Sequence, residues 1–210
     1  MAEYGMEIRN SAGKLLLDTD ETVLQFKQKF LCTSNGQAFD TGISVSDPIA
    51  PSVFTHQPGF CRVYNQSGRW HIMGYTVNWA GQNYRPFEIY VFARPQPTGI
   101  WGLRVYKANG ELQYQSTSKS ISIIDVLSTG EFEINARAYP VGKIATNSMI
   151  LGETLSYDDG SGEQTYPTCM TYARGNTFYE HDVFSEYGLM PSTIYSQRST
   201  SLIIDVSRFG

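Results

Sequence analysis

The amino-acid sequence predicts an all-β protein of antiparallel, sandwich-like modules, two in tandem, with little or no helix. Three observations lead there. Apolar residues alternate with a period of two along much of the chain, the spacing of a half-buried strand. The aromatic complement leans to Tyr (14) and Phe (11) in 210 residues, side chains that suit pleated surfaces. Turn-forming clusters recur at intervals of about 8–12 residues, the rhythm of a sandwich or barrel.

Taken in order, the chain opens on a hairpin at 4–18, YGMEIRNSAGKLLLD, in which Met6 and Ile8 alternate on one arm and Leu15 and Leu17 on the other. Residues 20–30, DETVLQFKQKF, have partial helical spacing at Val23, Phe26 and Phe30. Thr22, Val23 and Phe26 suit a strand, and a strand is predicted. Ser34-Asn35-Gly36, Gln66-Ser67-Gly68 and Ala80-Gly81 then mark turns, followed by the strand pattern Phe87-Ile89-Val91. FARPQPTG at 92–99 combines two prolines with a glycine after that strong strand and predicts a boundary near Pro97, separating modules 1–97 and 98–210. The second module repeats the pattern: Leu103-Val105, a turn at Ala108-Asn109-Gly110, Ile121-Ile123, a turn at Ser128-Thr129-Gly130, Phe132-Ile134, and a Gly-rich tip at Asp159–Gly162.

The second module begins with WGLRVYKANGELQYQ at 101–115, which overlays the first hairpin at an offset of 97 residues. Gly5 meets Gly102, Gly13 meets Gly110, and Met6, Ile8 and Leu15 meet Leu103, Val105 and Leu112. A hairpin loop with Gly in its last place commonly puts that residue at positive φ, which is expected for both Gly13 and Gly110. RVYNQSGR at 62–69 echoes RVYKANGE at 104–111, and shared turn chemistry accounts for it. IIDV occurs at both 123–126 and 203–206, consistent with similar strands closing related units.

The repeated pattern, Tyr-Gly-apolar-x-apolar, a Gly-containing turn, then apolar residues leading to Asp-Thr or Gln-Ser, resembles a family of tail-tip and minor tail proteins of long-tailed bacteriophages. Tyr4, Gly5, Asn10, Gly13 and Asp18 match its first copy, and Gly102, Leu103, Val105, Gly110 and Ser116 its second, after a YVFARP strand at 90–95 and a linker at Gly99. Gln115 stands where an Asp is usual. The likeness covers roughly residues 1–127 and none of 128–210. It implies a virion structural protein at the tail tip, assembled in the host cytoplasm, acting in tail assembly or host attachment. The implied partners are other tail proteins and copies of itself, with a host surface receptor as a further one. Tyr4, Gly5, Gly13, Asp18, Trp101, Gly102 and Gly110 would form the assembly hairpins. Repeated sheet edges independently suit such assembly.

Charge and motifs narrow the alternatives. A net charge of −4, with no run of Lys or Arg, lacks the footprint of a nucleic-acid binder. The opening MAEYGMEIRN has neither a basic nor an apolar leader region, and no stretch approaches a membrane span, so folding in a cytosol without membrane insertion is expected. Asn65-Gln66-Ser67 fits a glycosylation acceptor but reads as an exposed turn. Cys32, Cys61 and Cys169 form no CxxC pair and read as reduced thiols.

No GxSxG is present, and Cys169 with His181 lacks an oxyanion signature, so no enzyme and no catalytic residue is predicted. YEHDVFSEYG at 179–188 gathers Glu180, His181, Asp182 and Glu186, but strand geometry splits the set across two faces, and no metal or other cofactor is predicted. Asp158–Glu163 fails calcium-loop spacing. Tyr157, Tyr166, Tyr172, Tyr179 and Tyr187, interleaved with small polar residues, offer a candidate recognition surface and an alternative reading as a carbohydrate-binding module or adhesin, against the plainer one of core or subunit interface.

Overall fold

The structure, a computed structural model, describes residues 8–9, 15–17, 23–47, 49–76, 86–96, 102–107, 109–129, 135–147, 150–153, 166–185 and 199–210. They form strands throughout, all antiparallel, and the only helical turn among them is a 3-10 helix at Ser207–Phe209. The first half runs β1(Ile8–Arg9), β2(Leu15–Leu17), β3(Gln25–Cys32), β4(Gln37–Ser44), β5(Ser52–His56), β6(Gly59–Gln66), β7(Arg69–Thr76) and β8(Phe87–Ala93). The second runs β9(Arg104–Tyr106), β10(Leu112–Gln115), β11(Ile123–Thr129), β12(Asn135–Ala138), β13(Ile144–Thr146), β14(Ile150–Glu153), β15(Tyr166–Arg174), β16(Thr177–Ser185) and β17(Ser199–Asp205). The stretch with mixed helical and strand spacing is the strand β3.

The two halves repeat one topology. In the first, a hairpin β1–β2 is followed by a sheet ordered β3-β8-β5 and a second ordered β4-β7-β6; in the second, β9–β10 is followed by β11-β17-β13 and β12-β16-β15. β14 is added at the edge of the latter beside β15. Registers repeat as well as order. β3 carries a bulge between Phe26 and Gln28 against β8, and β11 carries one between Ile123 and Asp125 against β17, so Lys27 and Ile124 are equivalent. Two-residue turns link Gln66 to Arg69 and Arg174 to Thr177.

The halves join in a single six-stranded sheet, β11-β17-β13-β5-β8-β3. The boundary near Pro97 therefore separates two repeats of topology but crosses a continuous sheet. The order is palindromic about the antiparallel pair β13–β5, met at Thr146 and Thr55, which is what a local two-fold axis through the sheet produces. IIDV at 123–126 and IIDV at 203–206 lie in β11 and β17 and are direct neighbours, Ile123 opposite Ile204 and Asp125 opposite Ile203.

Alternation sends each strand's apolar residues to defined layers. On one face Phe87, Ile89, Val91 and Ala93 pack with Ile43 and Ile72 of the three-stranded sheet, while Ile144 and Ile203 pack with Ala173 and Phe178 of the four-stranded sheet. On the other face Phe54, Tyr90, Phe92, Ala145 and Ile204 are covered by Phe209 and, from the segments leading into β3 and β11, by Leu24 and Ile121. Those two segments cross antiparallel, Ile121 N–H donating to the Leu24 carbonyl (3.0 Å) and Phe26 N–H to that of Lys119 (2.7 Å). Leu24 and Ile121 are equivalent by the offset of the hairpins, so this crossing lies on the same local axis.

A charged cluster closes one end of the seam. The buried His56 donates from Nδ1 to the Ile144 carbonyl at 2.7 Å, tying β5 to β13. Opposite it in register, Glu88 accepts from the Tyr90 hydroxyl (2.7 Å) and pairs with Lys143 and with Lys29 (3.6 Å). Burial holds the His56 imidazole below its ordinary 6.5, an effect the Ile144 bond opposes; Lys143 lowers it further and Glu88 raises it. Partial burial raises the Glu88 carboxyl, but the bonds from Lys143 and Tyr90 and the fields of Lys143 and Lys29 leave it below 4.5.

Two outcomes are expected. A β-carbon on Gly59 would lie 2.5 Å from the fully buried Phe87 ring, so Gly59→Ala should lower stability by about 1–3 kcal/mol through overpacking, read as a reduced urea midpoint. Unfolded chains bind a proton at His56 that the folded chain resists, so this group's contribution is complete above pH 6.5 and falls as the pH drops below it; the Glu88 contribution is lost below 4.5. Thermal melts from pH 7 downward should show Tm falling in both windows, the upper one removed in His56→Gln.

Candidate functional site: the repeated hairpin and its seat

The two hairpins agree in backbone detail. Ile8 pairs with Leu17 and Arg9 with Leu15; at the same offset, Val105 pairs with Tyr114 and Tyr106 with Leu112, and the register slips at the same step in each. The bulge leaves Leu16 and Gln113 as the equivalent extra residues. The third echo is different: Arg62–Gln66 continues in unbroken register into β7 through Ser67 and Gly68 at φ 51° and 75°. Its likeness to 104–111 is confined to turn chemistry.

In the second hairpin Gly110, at φ +84°, donates to the Lys107 carbonyl (2.9 Å), Lys107 N–H donates to that of Glu111 (2.8 Å), and the Asn109 side chain accepts from Glu111 N–H (3.0 Å). The foot is held by Leu103 and Ser116, whose backbone and hydroxyl groups exchange bonds at 2.9 Å. Gly102 sits there at φ +122°, and a β-carbon on it would lie 2.7 Å from the Thr117 methyl. The positive φ expected at Gly110 is present. Tyr4, Gly5, Gly13, Asp18 and Trp101 lie outside the described residues.

This hairpin, from the second half, docks on the first. Gln25 Nε2 donates to the Gln115 carbonyl (2.9 Å), Gln25 forms a bridge with Ser120, and Arg94 reaches both Asp47 (3.4 Å) and Glu111. Arg94 and Asp47 are 14% and 13% exposed, so each shields the other from the cost of an unpaired, largely desolvated charge. Val105 and Leu112 are buried, whereas Leu103 and Tyr106 remain 57% and 48% exposed. Clefts of about 530 and 340 Å³ flank the joint and share Lys27, Arg94 and Gln96. The arrangement is a docking joint: an ion pair and backbone bonds at its foot, apolar side chains on its outer surface.

The other end of the central sheet contrasts with this. β3 and β11 are its two edge strands. On β3 the exposed positions after Phe26 are Lys27, Lys29 and Leu31, the last 54% exposed; at the same offset β11 has Ile124, Val126 and Ser128, the first two 36% and 57% exposed, beside Ile123 at 50%. Lysines on an edge discourage strand addition, and apolar residues invite it. Residue spacing alone could not reveal this patch, because it becomes an edge only once β17 has paired with β11 on one side.

The tyrosine-rich third divides. Tyr172 is only 5% exposed and stacks on the half-buried Tyr179 across β15–β16, ring centroids 5.0 Å apart at 12°. Burial, with Tyr179 nearby, pushes the Tyr172 phenol up to about 12. Tyr172 is thus a packed side chain and no recognition surface. Tyr166 begins β15, its side chain outside the described residues together with all of Tyr157 and Tyr187. An aromatic face that spacing did not single out lies on the outward side of β6–β7, where Phe60 stacks on Tyr75 (4.8 Å, 14°) and Tyr64 lies against His71 (5.6 Å). Cys32 and Cys61 are free thiols, both pushed up by burial. Among the described residues no three His, Cys, Asp or Glu side chains gather as a metal site would require. Glu180 is buried within β16.

No protein family, curated protein or solved structure matches this chain. Its described residues contain no helix long and apolar enough to cross a membrane.

Because Gly110 has open space around it, Gly110→Val isolates the backbone cost of the left-handed conformation, about 1–2 kcal/mol. Urea melts should show that loss for Gly110→Val, and a smaller one for Lys107→Ala at the half-buried neighbour, whose backbone conformation the change leaves free.

Proposed function

We propose that this chain is a bacteriophage virion structural protein of the tail tip, acting in tail assembly or host attachment and carried outside on the particle after assembly in the host cytoplasm. The observation that carries the reading is the identity of register and bulge in β1–β2 and β9–β10. A chain that keeps one hairpin in two copies within two repeats of a module offers the same contact twice, which suits a component placed between neighbours related by rotation. The resemblance of residues 1–127 to tail-tip proteins points the same way. Its partners on this reading are other tail proteins and further copies of itself, and its work is docking, not turnover.

A second reading, attachment to host-surface carbohydrate, draws on the outward Phe60/Tyr75 and Tyr64/His71 rows, since aromatic rings with polar tips favour amphipathic ligands. Electron microscopy of purified particles with labelled antibody should find the chain at the tail tip; absence from intact virions overturns the first reading. Glycan-array binding that is lost in Tyr75→Ala would support the second, and silence across the array would remove it.

A further inference from the structure

Two glycines let the two sheets of the first half meet at one point, and a cysteine stands on each side of it. Cys32, at the end of β3 in the six-stranded sheet, is fully buried, its thiol donating to the Ser34 carbonyl at 3.3 Å. Cys61 lies in β6 of the three-stranded sheet and packs against the same apolar layer. Gly74 of β7 is opposite Cys61 in register, and a β-carbon placed on it would lie 2.7 Å from the Cys32 sulfur and 3.3 Å from the Cys32 Cβ. Gly59, on the same face of β6 as Cys61, would bring a β-carbon to 2.5 Å from the ring of Phe87, which is opposite Cys32 in β8. Here the backbones of β6 and β7 approach β3 and β8 well inside the ~10 Å usual for packed sheets. Residues opposite each other on paired strands have β-carbons about 4.5–5.5 Å apart. The Cys32 sulfur thus fills the space that a side chain at position 74 would take, which is the space next to Cys61. Burial first, and then the nearby Cys32, pushes the Cys61 thiol up.

We propose that Cys32 and Cys61 are a disulfide-forming pair, reduced in the cytosol and joined across the two sheets when the chain meets a small-molecule disulfide outside it. Cys61, the less buried of the two, reacts first. Its thiolate attacks one sulfur of the oxidant, whose S–S bond breaks to release a thiolate. The Cys32 thiolate then attacks the Cys61 sulfur of this mixed disulfide, and the second half of the oxidant leaves. Two protons and two electrons pass from the cysteines to the oxidant, so one disulfide forms for each one reduced to two thiols. Side-chain rotation at Cys61 brings the sulfurs to the bonded separation of about 2.05 Å, and Cys32 gives up its bond to Ser34. The bond closes the chain between residues 32 and 61 and so restricts the unfolded state. No CxxC spacing announces the pair, because two packed sheets make it. The setting outside the cell rests on the tail reading; the pairing of the thiols does not.

The test equilibrates the full-length chain with oxidised and reduced glutathione, in urea just below the unfolding midpoint so that transient opening admits the oxidant. The urea is then removed, free thiols are blocked with iodoacetamide, and the product is digested and mapped by mass spectrometry. The expected product is a single chain lighter than the reduced one by two hydrogens, with residues 32 and 61 in one cross-linked peptide and Cys169 blocked. Its urea midpoint should exceed that of the reduced chain by ~1 M, and the difference should vanish in Cys61→Ser, with Cys61→Ala as the apolar alternative at this half-buried site. A chain that keeps Cys32 and Cys61 as thiols, carries glutathione on them, or joins either to Cys169 overturns the inference. An oxidised chain with a lower urea midpoint than the reduced one also overturns it, since the native packing would then oppose the bond. None of these outcomes bears on whether the chain occurs in virions, so the tail reading is decided separately.

Discussion

Everything in this molecule depends on one antiparallel pairing, that of β5 with β13 at the centre of the six-stranded sheet. A three-stranded sheet has two open edges, and an open edge carries unpaired N–H and C=O groups that must find partners or remain in water. By joining inner edges, the two modules satisfy each other and leave β3 and β11 as the edges of the shared sheet among the described residues. The His56 bond to the Ile144 carbonyl fixes the seam from the side. Both small sheets then lie on one face, and the other is free to receive the crossing segments and Phe209.

The shared sheet also explains why the hairpins sit where they do. A hairpin of two to four residues per arm buries too little to be stable alone. β9–β10 solves this by leaning on the neighbouring module through Gln25 and Arg94, a contact made possible because the crossing at Leu24 and Ile121 brings the second hairpin to the first half. The two halves also differ where they face outward: Lys27 and Lys29 against Ile124 and Val126, an inserted β14, and a C-terminal 3-10 turn covering Phe26 but leaving Ile123 bare. Strand order and register held constant with an altered rim is how a repeated unit acquires two different neighbours.

Much of this was legible in residue order. Period-two alternation and Gly-containing turns located most strands, because side-chain direction in a strand is set by local geometry alone. Gly110 stood out because positive φ is a local demand that few other residues meet, whereas the positive φ of Gly102 at the hairpin foot was not foreseen. Residues 123–126 and 203–206 do lie in strands, β11 and the end of β17, but they open and close one module instead of closing two related units, and nothing in four residues says that two such strands will be neighbours. Tyr172 marks a choice that residue order left open: a tyrosine among Ser, Thr and Asn fits a recognition surface or a packed interior, and only the packing of β15 on its surroundings buries it.

By itself the sequence determined the all-β class, the strand-and-turn rhythm and the repetition of a hairpin, all of which depend on interactions within about ten residues. Only the tertiary structure decided that the whole module is repeated, since equivalent strands such as β8 and β17 share strand order and register with little common sequence. It also decided that two inner edges fuse, that a local axis runs between Thr55 and Thr146, and that Ile124 is an edge residue while Ile203 is a core one. These are properties of pairing between distant segments. A strand pattern specifies which face of a residue is apolar, but which strand lies beside it, and whether any does, is settled only when the chain closes on itself.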